Sequence, residues 1–262
     1  MILSIDIGIK NLSLCIMDCE NKKDFSTYKT HLWDVYNTLE DHHKCVSLQK
    51  SGKICDKKCS FKYKPNTDAG TDYVFTCKTH FPKNLLPLKK ENNYKPKLIK
   101  NYLLQDIAKI ILSKLNEIYT TNENLFKQLS QIVLELQPSM NKSMIFVSHL
   151  IYAKLVELQL SNHLNPQCTI KFIRASQKLK AYTGPEIICK LKGKYAQRKW
   201  LSIQYTKWFL ENKFSNQQKD LWLPIFNSKS TQADMSDTKL MAINILHGVP
   251  KKQKMNFKKV NQ

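Results

Sequence analysis

The chain has 262 residues, 42% of them hydrophobic and 10% aromatic, enough apolar material for one large core or two modest domains. Forty-two Lys and Arg stand against 21 Asp and Glu, a formal net charge of +21. Such an excess implies a polyanionic partner, nucleic acid first and an anionic membrane surface second. Against the membrane, no long amphipathic helix confines its lysines to one face, no run approaches a membrane span, and the N-terminus lacks the basic region and cleavage site of a secretory signal. These features predict a soluble, intracellular protein with no membrane partner.

In chain order, "MILSIDIG" alternates, with Leu3, Ile5 and Ile7 on one face and Ser4, Asp6 and Gly8 on the other. "NLSLCIMD" follows a tight turn at 8–11, and "STYKTHLWDVY" is a third extended stretch, so an antiparallel meander is predicted. Residues 41–82 have few aliphatics, many lysines and a Cys/His cluster, which marks an insertion; 82–97 reads as a linker. Leu103, Ile107, Ile110, Ile111, Leu115 and Ile118 give 98–119 helical spacing. "QIVLELQP" is a strand stopped by Pro138. Met140, Met144, Val147, Ile151, Leu155 and Leu158 mark a helix to about 161, and "CTIKFIR" is a fifth strand. Helices are predicted over 194–212 and 232–247, and 250–262 reads as a disordered basic tail. The order β-β-β-α-β-α-β-α-α is a mixed α/β domain, formed by 1–40 and 98–249 around an inserted 41–97.

Several acids sit where a basic, apolar sequence does not call for them. Glu135 lies inside an apolar strand and Asp6 inside the first, although burying an unpaired carboxylate costs several kcal/mol or forces it to neutralise. Asp234 and Asp237 lie three apart at the start of the last helix. Each has an ordinary explanation: a turn for Asp6, a lysine partner for Glu135, and for Asp234 a capping box with Thr231 in a first turn that favours acids. Together, acids from three separate segments predict a shared cation, and Mg²⁺ prefers such oxygen ligands.

"SIDIGIKN", "VLELQP" followed by "NKS", "YAQRK" leading a helix and "ADMSD" opening the last one resemble the Holliday junction resolvases of poxviruses and related large DNA viruses, which are RuvC-like, RNase H-like nucleases. The resemblance covers the chain outside 41–97 and the tail. It implies an RNase H-like fold, a mixed sheet flanked by helices. It implies Asp6, Glu135, Asp234 and Asp237 as ligands of two Mg²⁺ ions, with Mn²⁺ as a substitute. Lys199 is implied as a catalytic or phosphate-contacting lysine, although Arg198, Lys192 and Lys194 are near it and such a lysine is commonly a solvated charge. It further implies a homodimer that nicks four-way DNA junctions symmetrically, in viral recombination and repair, in the host cytoplasm or nucleus. Two other readings stay open: another RNase H-like nuclease or strand-transfer enzyme, and a noncatalytic DNA-binding or packaging protein.

The insertion has the spacing Cys-x9-Cys-x3-Cys-x17-Cys-x2-His, which suits one closed tetrahedral Zn²⁺ site. Cys45, Cys55, Cys77 and His80 are the favoured ligands. "SGKIC" reads as a turn presenting Cys55, and Cys77-x2-His80 as a second knuckle. The pattern also resembles short viral zinc modules of the form Cys…Gly-Lys-x-Cys…Cys-x-x-His. Cys59 is the substitute for Cys45, with His42 and His43 ranked below. So few aliphatics need a staple to fold; the lysines suggest a DNA contact, and a purely structural role stays open. Cys15, Cys19, Cys168 and Cys189 read as ordinary thiols of an intracellular protein.

Overall fold

The structure is a computed structural model that describes residues 1–39, 43–65, 73–86, 89–95 and 98–248. The predicted tail at 250–262 and the candidate ligand His42 lie outside the described residues. Two compact units are present, one formed by 1–38 with the chain from 104 onward, the other by 39–103.

The first unit is built on a five-stranded sheet. Strands β1 (Ile2–Asp6), β2 (Asn11–Cys19) and β3 (Tyr28–Asn37) form the antiparallel meander. In the second unit β4 (Phe61–Tyr63) and β5 (Val74–Thr76) form a separate small hairpin. Strands β6 (Gln131–Leu136) and β7 (Thr169–Arg174) then add to the large sheet in parallel with β1, giving the order β3-β2-β1-β6-β7. β1 and β6 are buried on both faces, as central strands are. The tight turn after β1 needs Gly8, because a Cβ there would collide with the carbonyl oxygen of Asn11.

Among the described residues there are six α-helices: α1 (Leu104–Thr121), α2 (Glu123–Phe126), α3 (Lys142–Leu160), α4 (Lys194–Asn212), α5 (Asn216–Ser228) and α6 (Gln232–His247). One face of the sheet carries α3, where Tyr152 stacks on Phe172 with ring centroids 5.5 Å apart; α1 packs along α3. The other face carries α6, with α4 and α5 outside it. There Ile2, Cys15, Met17 and Trp33 of the strands join Phe209, Trp222, Phe226 and Leu240 in one core. This mixed sheet with helices on both faces is an α/β arrangement.

Four details depart from the sequence reading. Helix α1 starts at Leu104, after a 3₁₀ turn at Ile99–Asn101, and Leu103 is exposed. Met140 is 95% exposed ahead of α3 rather than on its buried face. Helix α5 was not predicted; its N-cap Ser215 accepts a hydrogen bond from the Gln218 N–H, and Pro224 sits inside it. Finally, α3 is long and apolar enough to cross a membrane by length and composition, where the sequence predicts no run that approaches a span. In this fold Val147, Ile151, Leu155 and Leu158 are its buried stripe, and it lies against β6, β7 and α1.

Candidate metal centres

The carboxylates are positioned by register. β1 and β6 run side by side in parallel, with Ser4 opposite Val133 and Ile5 opposite Leu134. Asp6 and Glu135 therefore leave adjacent strands at the same carboxyl edge, and alternation turns both toward α6. On that face Val133 and Ile173 pack under Met241 of α6. The polar face expected from alternation is thus an interior surface covered by a helix.

Hydrogen bonds lock α6 to the strands. Ser4 Oγ donates to the Thr238 carbonyl at 2.8 Å, Ser13 Oγ lies 3.2 Å from Thr238 Oγ1, and Trp33 Nε1 donates to the Met235 carbonyl at 2.9 Å. These contacts flank Asp237 and bring it to the sheet edge. Asp6, Glu135 and Asp237 each offer an oxygen within 4.8 Å of the others. Asp234 stands apart from that trio, accepting from Asn11 Nδ2 at 3.2 Å and facing Lys199 Nζ at 3.3 Å. Thr231 is the N-cap of α6 but makes no capping hydrogen bond, so the expected capping box is absent.

A residue that the sequence reading overlooked sits at the centre. Lys178, in the 3₁₀ segment Ala175–Ala181 that follows β7, places Nζ 2.5 Å from Asp237 Oδ2 and 3.3 Å from Glu135 Oε2. Its side chain is 13% exposed. One lysine among many carries no signal in a lysine-rich sequence; only the fold, which leads the chain out of β7 beside Glu135, singles it out. Lys199 instead pairs with Asp234.

The charges explain why a cation belongs here. Burial pushes the Asp6 carboxyl well above the usual carboxylate range, and the hydrogen bond and negative charge of Glu135 push it further. Burial also raises Asp237, with Lys178 pulling the other way. For Glu135 burial is again the largest effect, but the Asp6 hydrogen bond and the Lys178 charge outweigh it and hold the carboxyl low. Burial opposes the charge on Lys178, yet Asp237, Glu135 and Asp6 together raise it. The cluster recruits the nearest ammonium, and three oxygens at this spacing can meet on one ion with bonds of about 2.1 Å.

In the second unit the arms on either side of Gly52, at φ +76°, pair as a hairpin. The Cys45 N–H donates to Lys57 O at 2.8 Å and the Cys55 N–H to Ser47 O at 2.9 Å, which brings both thiols to one face. Cys77 leads into the 3₁₀ turn Lys78–His80, and that turn returns His80 to the same point. The Cys55 and Cys77 sulfurs are 3.8 Å apart, and His80 Nδ1 is 3.4 Å from Cys45 Sγ and 3.5 Å from Cys77 Sγ. Tetrahedral zinc, with bonds of about 2.3 Å to sulfur and about 2.0 Å to nitrogen, has S···S edges of about 3.8 Å and S···N edges of about 3.5 Å. The Cys₃His set fits a metal. Cys59 is buried nearby but is not part of this set. Burial and then the neighbouring thiols push it up to about 11, whereas hydrogen bonds from Ser47, Cys77 and His80 outweigh burial at Cys45 and bring it to about 6. His43 stacks on Phe75, with centroids 3.7 Å apart.

Fold and sites thus define an α/β domain with a carboxylate cluster at a parallel-strand edge, plus a small unit with a Cys₃His cluster. No protein-family model matches the chain. An uncharacterized protein of Acanthamoeba polyphaga mimivirus is 25% identical over 276 residues, covering 95% of this chain and 62% of that protein, so the chain spans about three fifths of its relative's length. Among solved structures, the yeast mitochondrial Holliday junction resolvase Ydc2 is similar with a TM-score of 0.43 and 14% identity, over 94% of this chain and 77% of that one.

Proposed function

We propose that the protein is a Mg²⁺-dependent endonuclease that resolves four-way DNA junctions as a homodimer, with one structural Zn²⁺ per chain. The observation that carries this reading is the meeting of Asp6, Glu135 and Asp237, from three separate segments, within 4.8 Å in a chain of charge +21. A purely structural acid cluster has no reason to gather at a sheet edge, where each added carboxylate raises the cost of burying the others. Three of the motifs that resemble viral resolvases, "SIDIGIKN", "VLELQP" and "ADMSD", supply the three acids that converge there.

Asp6, Glu135 and Asp237 would hold the metal, with Asp234 one helical turn away as a further ligand. Two bound ions would supply an activated water and stabilise the leaving 3′ oxygen in phosphodiester hydrolysis. Lys178 would move from the carboxylates to a phosphate oxygen, and Lys199 would hold Asp234 in its rotamer. The remaining basic surface binds the backbone, so affinity should fall steeply with salt. Two strands must be cut to resolve a junction, and two copies related by a two-fold axis meet that need. The virus-type lineage and action at sites of viral DNA replication belong to the same reading.

The test is cleavage of a four-way junction, a flap, a linear duplex and an RNA–DNA hybrid, each with Mg²⁺ and with EDTA. Paired symmetric nicks in the junction that need Mg²⁺ are expected. Preferential cutting of the hybrid would favour another RNase H-like activity, and tight binding with no cutting would favour a DNA-packaging role.

A further inference from the structure

The zinc-fitting hairpin has two faces of opposite character. Leu48 and Ile54 are bridged across it, and the alternation that turns Cys45 and Cys55 inward turns Val46, Leu48 and Ile54 outward. These three side chains are 72%, 66% and 60% exposed. Leu48 and Ile54 are direct cross-strand neighbours and Val46 lies two residues along, so the three make one apolar patch. The patch takes no part in the cluster of Cys45, Cys55, Cys59 and Cys77 that forms the interior.

Its surroundings are cationic. Residues 43–60 hold five lysines and one acid, Asp56, and Lys44 pairs with that acid at 2.9 Å. On the neighbouring hairpin the half-exposed Tyr73 has Lys62 Nζ 4.3 Å and Lys64 Nζ 5.2 Å from its ring centroid. Exposed apolar groups on a lysine-rich hairpin match a ligand that presents negative charge beside an apolar face. DNA with unstacked bases is such a ligand; in a continuous duplex the base faces are hidden against one another, and they open at branches, mismatches and single strands. We infer that this hairpin is a DNA-binding element that takes unstacked bases on Val46, Leu48 and Ile54 while its lysines hold the flanking phosphates.

The inference rests on the reading that the chain acts on DNA, and it is tested apart from cleavage. Full-length zinc-loaded protein, without added Mg²⁺, is titrated by anisotropy against two labelled duplexes identical but for a central block of mismatches. The wild type should bind the mismatched duplex about tenfold more tightly. The combined Val46→Ser, Leu48→Ser, Ile54→Ser variant should bind both duplexes alike with its zinc content unchanged. Ile54→Ser alone, at an exposed position, should lose part of the preference. Lys50→Ala with Lys53→Ala should weaken binding to both duplexes equally. Equal wild-type affinities, or a preference that survives the triple substitution, would overturn the inference. So would a triple variant that loses binding to phosphatidylserine vesicles instead. Because no cutting is read, absence of nuclease activity leaves this outcome intact.

Discussion

Lys178 holds the carboxylates together when no metal does. Its ammonium lies against Asp237 and Glu135, so a divalent ion entering the site must displace it or share the charge. Lys178→Met should destabilise the metal-free protein, by roughly 3 kcal/mol if the acids stay charged and less if Asp6 and Asp237 take up protons, and so lower its melting temperature. The same variant should gain more stability from Mg²⁺ than the wild type does, which differential scanning fluorimetry against a Mg²⁺ series reads directly. An identical Mg²⁺ shift in both proteins would mean that lysine and metal do not compete. At this scale the sequence was informative about acids and blind to the lysine. Glu135 stands out because an acid inside "IVLELQP" violates burial, whereas Lys178 violates nothing. Asp234 and Asp237 look equivalent in sequence, and only the packing of α6 separates them: Asp237 faces Glu135 through Lys178, while Asp234 faces Asn11 and Lys199.

Helix α6 is the element on which the site depends, and it is buried on nearly every side. Every residue from Met235 to Asn244 is buried, including Lys239, which donates to Thr30 Oγ1 and lies between the rings of Trp33 and Phe214 at 4.7 and 5.0 Å from their centroids. Burial lowers the Lys239 ammonium to about 8, with Cys15 opposing. A lysine whose folded pKa is depressed binds its proton less well folded than unfolded. The resulting cost is present in full below pH 8 and disappears as pH rises from 8 toward the unfolded value. Lys239→Met, which keeps the length without the charge, should therefore be at least as stable as wild type at pH 7, by up to roughly 3 kcal/mol. The gap should narrow as pH is raised through 8 to 10 in parallel urea melts. A variant less stable by the same amount at every pH would show that the lysine is a net stabilising contact. The boundaries of α4 and α6 were legible from periodicity and composition. That α6 is surrounded was not, because a helix with Asp, Lys, Thr and Asn on its faces reads as half-solvated. The missed α5 did carry a signal: Ser215 and Gln218 have capping-box spacing, masked by Pro224 in the middle of the helix.

For the whole molecule, the two units predict separable losses. Cys77→Ser removes a member of the Cys₃His set and should abolish zinc binding, one ion per chain by metal analysis, while circular dichroism of the main sheet and helices persists. Cys59→Ser should retain full zinc; loss of zinc from it would move the ligand set. Mixing wild-type with Asp6→Asn chains should give heterodimers that nick a supercoiled cruciform once and fail to resolve it. A strictly monomeric protein making paired symmetric cuts would contradict the dimer. The insertion stands out in the sequence because its composition breaks from its flanks and its Cys/His spacing suits a tetrahedral site; its exposed apolar face does not, because Val46, Leu48 and Ile54 look like core until the hairpin register is known. The central claim, that Asp6, Glu135 and Asp237 form a metal-dependent cutting site on a DNA-binding surface, meets its most direct test in Glu135→Gln. On a four-way junction with Mg²⁺, cleavage should fall by more than about a hundredfold while junction affinity stays at or above the wild-type value. A Glu135→Gln protein that cuts at the wild-type rate would contradict the account.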